Sequence, residues 1–533
     1  MFVCFIMVSC TNHDISNRNI FRYNESAGIS SLDPAFAKNQ SIMWPIHQLY
    51  NTLVELDSQL KVVPSLAKSW DFLDYNRTIV FRLRTDVYFH DDPVFVNGIG
   101  RKLVAADIVY SYNRLLDKRV ASPGAWIFND KIDSLDPFVA IDDSTFEIRL
   151  SSACPLILGI LSMPYCSIVP KEAVIAYGQD FRSHPVGTGP FCFKVWEEGQ
   201  ALILKRNNRY FEKDEKGKKL PYLEGIKISF LDNKANEFVL FQQQKLDFIN
   251  DIDPSFKDEL VTKTGELKKQ WVGKIRMNKH SYLNTEYLGI LFDTSNALLK
   301  NSPLRIKKVR LAINYAIDRR KMLMYLRNSI GSPANCGFIP KGLPSFDNEL
   351  VHGYDYNPIK AKLLLKESGF DEVNPMPIIH LLTVSTYVNV ASFIANELNK
   401  VGIFVEVETV QKNLLFEQMS KGQVLFFRGS WIADYPDPSN FLSVFYSKNP
   451  SPPNYTRYSN KKYDSLFEQS FLETNDSLRV LLFSKMDNMI IEDAPIIPLW
   501  YDMVLHFVNP LVENFKPNSL NMLELKRVKK NYH

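Results

Sequence analysis

One short stretch concentrates the residue types able to grip a charged ligand: Arg428-Gly429-Ser430-Trp431-Ile432-Ala433-Asp434-Tyr435. The apolar run Val424 to Phe427 leads into it and reads as a strand. Pro436 and Pro438 forbid continued regular pairing, so that strand has to stop before them. In sheets flanked by helices, ligands sit just beyond the carboxyl ends of strands. A carboxylate there only accepts hydrogen bonds, which suits a ligand ammonium at Asp434, while Trp431 offers a flat apolar wall. Asp434 is equally able to cap its own turn, and the stretch alone leaves both readings open.

Catalytic constellations are thin. The nine histidines are scattered, with no H-E-x-x-H and no Gly-x-Ser-x-Gly. Gly187-Thr188-Gly189 lacks both the Lys-Ser/Thr and the opening helix that a phosphate cradle needs, and reads as a tight turn before a strand. His90-Asp91-Asp92 is a weak metal pattern and reads as a solvated turn. The six cysteines form no C-x-x-C pair and no zinc spacing. Cys154 and Cys166 would bridge in an oxidising compartment; the alternative, which fits the habits of free cysteine, is two small buried hydrophobes. No enzyme activity, cofactor or metal is expected.

The elements that must position these residues follow from pattern. At 533 residues the chain exceeds what one core supports, so two or three domains are expected. A composition of 45% hydrophobic and 23% charged residues places it among globular proteins. The net charge of +4, from 63 basic and 59 acidic side chains, gives no reason to expect nucleic acid as partner. No run approaches the length of a membrane-spanning helix. Strands are predicted at Ile20–Tyr23, at Thr78–Arg84 from its alternation, and at Ala201–Lys205. A helix is predicted over Ala105–Leu116. Ser302-Pro303 and Asn357-Pro358 each open a helix, the second stopping at Gly369. A third runs from Val388 to Lys400 and leads through Gly402 into a strand, Phe404–Val410. Helices alternating with strands point to an α/β fold with a largely parallel sheet. No Gly/Ser linker is visible, so crossing strands are expected to join the domains.

Phe2 to Val8 is an apolar run too short to span a bilayer, and it matches the core of an export signal, although no Lys or Arg precedes it. Met7-Val8-Ser9-Cys10 resembles a bacterial lipobox, which makes Cys10 the expected lipidation site. Several acyl chains on one residue anchor a protein stably where one would not.

From about residue 20 to 515 the chain resembles the family 5 solute-binding proteins of ABC importers, the dipeptide/oligopeptide class. The ordered matches include Leu32-Asp33-Pro34, Leu49-Tyr50-Asn51-Thr52-Leu53, Pro64-Ser65-Leu66-Ala67, Phe89-His90-Asp91 and Gly187-Thr188-Gly189-Pro190-Phe191. Val309-Arg310-Leu311-Ala312-Ile313-Asn314 and Glu492-Asp493-Ala494-Pro495 continue the series. The resemblance implies a bilobal periplasmic-binding-protein fold (type II, cluster C) with an extra inserted domain. Residues 1–19 would be signal and tether. Domain I would comprise 20–50, 185–276 and 491–533, domain II would be 51–184, and domain III, the second lobe, 277–490.

It also implies that Asp434 takes a peptide amino terminus beside Trp431, and that Arg428 meets a peptide carboxylate. Gly429, Ile432 and Tyr435 complete that contact strand. Tyr387 lies in a loop where dipeptide-type members carry an Arg, absent here. Lys38 and Gln40 would contact the ligand from the opposite lobe. The implied protein captures short peptides and passes them to an ABC permease and ATPase. It would be a monomer on the periplasmic side of the envelope, lipid-anchored to a membrane. The alternatives are a same-fold binder of a metal chelate or sugar, and a peptide-sensing receptor lipoprotein.

Overall fold

A computed structural model describes residues 19–250, 254–343 and 346–531. Cys10 lies outside them. Among the described residues no helix is long and apolar enough to cross a membrane.

An eleven-stranded sheet forms the spine. In chain order its strands are β1 (Ile20–Asn24), β2 (Phe191–Glu197), β3 (Ala201–Arg206), β4 (Gly225–Ser229), β5 (Phe248–Asn250), β6 (Arg276–Ile290), β7 (Ser332–Pro333), β8 (Ile379–Val384), β9 (Val405–Val410), β10 (Phe426–Ile432) and β11 (Ile496–Val508). They lie in the order β9-β8-β10-β6-β11-β5-β1-β4-β3-β2, and β7 pairs with β11. The sheet is mixed, which corrects the expectation of a largely parallel one. Only β1 with β4 and β5, and β8 with β9 and β10, run parallel. The others are antiparallel because β6 and β11 are a long antiparallel pair at the centre, with neighbours of both directions.

Those two central strands join the halves of the molecule. The first part of β6 pairs with the end of β11, Met503–Val508, which also pairs with β5. Its second part lies between β10 and Ile496–Tyr501 of β11. Between the two parts the register shifts at Ser281/Thr285 and again at Glu286/Tyr287. Bulges of this kind bend a strand and tighten its twist. The buried apolar clusters follow the same division. One unites residues from Phe21 to Phe248 with Val508 to Val528. Two others are built mainly from residues between Leu283 and Trp500. The chain therefore forms two lobes with separate cores, linked by continuous strands as expected.

A separate antiparallel sheet stands on the first lobe, in the order Ala67–Leu73, Thr78–Leu83, Thr145–Arg149, Phe138–Asp142. The helix Ala105–Leu116 packs on it and buries Ile108, Tyr112 and Leu115 at helical spacing. Its first turn is closed by Asp107, which accepts from the Val104 N–H at 2.9 Å. The helix expected after Ser302 starts later. Ser302 caps only a short 3-10 turn, Pro303–Arg305, extended Ile306 interrupts, and the α-helix runs from Lys307 to Ala316. Helices Pro358–Glu367 and Val388–Asn399 stand where the sequence placed them, with Gly369 and Gly402 at positive φ beyond their ends. His90 corrects the solvated-turn reading: it is buried, hydrogen-bonds the Gly189 carbonyl at 3.0 Å, and burial pushes its pKa down to about 4. Gly187 and Gly189 are needed for close approach, since a Cβ on Gly189 would lie 2.4 Å from the Leu49 carbonyl carbon. Cys154 and Cys166 are buried free thiols, not a bridge.

The loop carrying Lys38 and Gln40 is tied down by a buried ion pair. Asp33 caps the turn Pro34–Phe36 through the Ala35 N–H at 3.0 Å. Its two oxygens accept from Arg114 of helix Ala105–Leu116 at 2.9 and 2.5 Å. With side chains only 6% and 11% exposed, neither charge can fall back on water. Arg114→Ala is therefore expected to destabilise the first lobe by about 3–5 kcal/mol, because it strands a buried carboxylate. Urea denaturation of the variant checks this; a loss under about 1 kcal/mol would show the pair to be dispensable.

Candidate functional site

Strand β10 delivers the site. It continues past Arg428 through Gly429 and Trp431 to Ile432, four residues further than the sequence suggested, because β6 pairs with it along the whole length. On its other side β8 meets it only at Leu382↔Phe427, after which β8 gives way to the turn Ser385–Tyr387. From Gly429 to Ile432 that edge of β10 has no strand partner among the described residues.

Asp434 lies two residues beyond the strand. Its turn is closed by the helix Pro438–Leu442, capped by Asp437, which accepts from the Ser439 N–H at 2.9 Å. Asp437 is held in turn by Arg479 at 3.1 Å. This brings buried Asn440 between the two candidate residues. The indole N–H of Trp431 only donates, and it reaches Oδ1 of Asn440 at 2.9 Å. The Asn440 amide must then face Asp434 with its Nδ2, which donates to Oδ2 at 3.3 Å. Trp431 and Asp434 are thereby locked to one another. No cation lies within ion-pair distance of Asp434 among the described residues. Asp434 is exposed, with protein atoms near enough to desolvate its carboxylate in part. That desolvation raises its pKa, and the Asn440 hydrogen bond only partly offsets the rise.

The opposite wall comes from the first lobe. Tyr165, in the turn Pro164–Cys166, has its hydroxyl pKa pushed up to about 12 by burial and then by the Asp434 carboxylate. That turn packs against Pro34–Phe36, the segment leading to Lys38 and Gln40. Lys38 is exposed; the Gln40 side chain has a buried Nε2 with no partner among the described residues.

A second group surrounds Arg428. Its guanidinium donates to Oε2 of buried Glu286, and its Cζ lies 3.6 Å from the centre of the Tyr387 ring. Asn284 donates to Oε1 of Glu286 at 3.2 Å and to Asp502 at 3.2 Å, and Asp502 receives Arg327 at 2.7 Å. Arg428 is thus already paired inside the protein. Burial raises the Glu286 pKa, and Arg428 opposes the rise.

Gly429 is buried opposite Tyr287, whose ring a Cβ would approach to 2.6 Å, so packing requires a residue without a side chain there. Tyr435 is buried among first-lobe residues and works as a contact between lobes. Ile432 stays exposed at the strand's end. Sequence reasoning missed Asn440, Tyr165 and Glu286. The Asp437-Pro438 helix start hinted at Asn440; nothing local marked the other two.

A model described as bacterial extracellular solute-binding proteins, family 5 Middle, matches residues 61–453. The dipeptide-binding protein DppE of Bacillus subtilis is 24% identical, covering 99% of this chain and 97% of its own. The heme-binding protein A of Haemophilus influenzae is 26% identical, covering 94% and 90%. Among solved structures, the unliganded open form of the periplasmic murein tripeptide-binding protein MppA is 21% identical. It superposes with a TM-score of 0.81 over 97% of this chain and 98% of that one, which shows the same bilobal fold. The matched family model spans most of the chain, from the first lobe's small sheet past Asp434, and the protein belongs to the bacterial extracellular solute-binding proteins of family 5.

Proposed function

We propose that this protein captures short peptides between its lobes and hands them to an ABC permease and ATPase, with no chemistry of its own. The observation that carries the reading is Asp434: an exposed, partly desolvated carboxylate, oriented by Asn440 beside Trp431, with no cation within ion-pair distance among the described residues. A peptide's amino terminus supplies that cation. The unpartnered edge of β10 from Gly429 to Ile432 offers main-chain donors and acceptors to an extended peptide, as in β-strand addition. Such pairing is blind to side chains and favours breadth. Relatives named for dipeptide and murein tripeptide binding support the same solute class. Lys38, Gln40 and Tyr165 would face the ligand from the first lobe, and Tyr387 would flank it from the second. Domain I is taken as 20–50, 185–276 and 491–533, domain II as 51–184 and domain III as 277–490. Closure would bend β6 and β11 at the bulges between Ser281 and Tyr287. The protein would act as a monomer outside the cytoplasm, anchored through lipid on Cys10.

Asp434→Ala should weaken peptide binding by at least about tenfold, and N-acetylated peptides should bind the natural protein as poorly. Calorimetry with paired free and acetylated peptides measures both; equal affinities would remove Asp434 from this role.

The pH profile has a definite sign. A proton and the ligand ammonium compete for one carboxylate whose pKa is raised in the free protein. Affinity should therefore fall as pH drops through that raised pKa, by up to about tenfold per unit, and fall again above about pH 8 as the amine loses its proton. Titrations across this range that stay flat on the acid side would count against the pairing.

Mass spectrometry of membrane-extracted protein should find a mature terminus at Cys10 bearing acyl chains. An unmodified Met1 terminus would rule the anchor out.

A further inference from the structure

Arg428 is the one cation on the strand that ends beside Asp434, and its charge is already matched inside the protein. Glu286 sits on β6 and faces it from the same side of the sheet, because Glu286 pairs with Ser430 and strand residues alternate faces. Glu286 and Arg428 have side chains only 3% and 14% exposed. The Tyr387 ring covers the guanidinium. Asn284 fixes the far oxygen of Glu286 and links it to Asp502, which Arg327 neutralises. Two carboxylates and two guanidiniums close on one another and leave no net charge for a solute.

Glu286 engages Nη2 of Arg428 and leaves Nε without a partner among the described residues, so an incoming carboxylate could still reach the guanidinium, but it would meet a cation whose charge Glu286 already offsets and would lie beside the Glu286 carboxylate. The strand is asymmetric as a result. Its Asp434 end reads positive charge; its Arg428 end reads none.

Given the peptide reading above, we propose that Glu286 is a specificity-determining residue: by holding Arg428 it makes the cleft indifferent to a peptide's carboxyl charge. Peptides with a masked carboxyl end are then accepted as readily as free acids, while a masked amino end is refused.

The test is calorimetry on the intact protein with tri- and tetra-alanine, each as free acid and as carboxyl-terminal amide. The natural protein should favour the acid by less than about tenfold, and E286Q, which keeps a hydrogen-bonding oxygen but no charge, should favour it by about tenfold or more. A preference of about tenfold or more in the natural protein overturns the proposal, and so does an E286Q preference that stays below that. The first comparison needs no variant, so it decides even if E286Q fails to fold. If neither form of either peptide binds the natural protein, the peptide reading itself fails, an outcome distinct from a preference for the acid.

Discussion

A negative charge surrounded by protein needs a cation or several donors, and the buried carboxylates of this molecule find one or the other: Asp487, with no cation beside it among the described residues, accepts from the Phe338 and Ile339 N–H groups at 2.7 and 3.2 Å. Asp33 has Arg114, Asp437 has Arg479, Glu286 has Arg428, and Lys526 is shared between Glu55 and Glu212. Each pairing is the ordinary way a folded chain tolerates buried charge. Asp434 differs in being exposed, with Asn440 as a hydrogen-bond donor and no cation beside it among the described residues. Its neighbours orient the carboxylate without neutralising it, and the energetic consequence appears as a raised pKa. On the proposed reading, a ligand ammonium is the cation it takes.

That demand shapes the surroundings. Asn440 would be a wasteful residue on so short a helix if it only packed. It accepts from an indole and donates to a carboxylate, and this fixes both groups at once. The Asp437–Arg479 pair holds the helix that carries it. Across the gap, Asp33–Arg114 performs the same service for the loop that leads to Lys38 and Gln40. The two walls are prepared separately, each by a buried ion pair, and brought to face one another by β6 and β11. Because those strands run unbroken through both lobes, the proposed bending at their bulges would move the walls as units and leave each one intact.

Much of this was legible in the chain. Alternation at Thr78–Leu83 and helical spacing in Ala105–Leu116 survive because local pattern and burial agree there. The strand into Asp434 was readable from an apolar run stopped by prolines, but its length was not. β6 extended it, and β6 lies well over a hundred residues away. For the same reason the solvated-turn reading of His90 failed: the Gly189 carbonyl that buries it is remote in sequence. Ser302 looked like a helix cap and was one, for a turn that extended Ile306 cut short.

By itself the sequence marked an acid with an aromatic three residues before it and the punctuation that ends their strand, and left open whether that acid caps its turn or meets a ligand. All are local matters of side-chain chemistry and backbone propensity. Only the tertiary structure decided which charges remain available. Arg428 looked as free as Asp434 in the sequence, yet an antiparallel pairing set Glu286 against one, and no cation was set against the other. Neutralisation is a through-space property, fixed by which strands become neighbours, and one-dimensional order does not carry it.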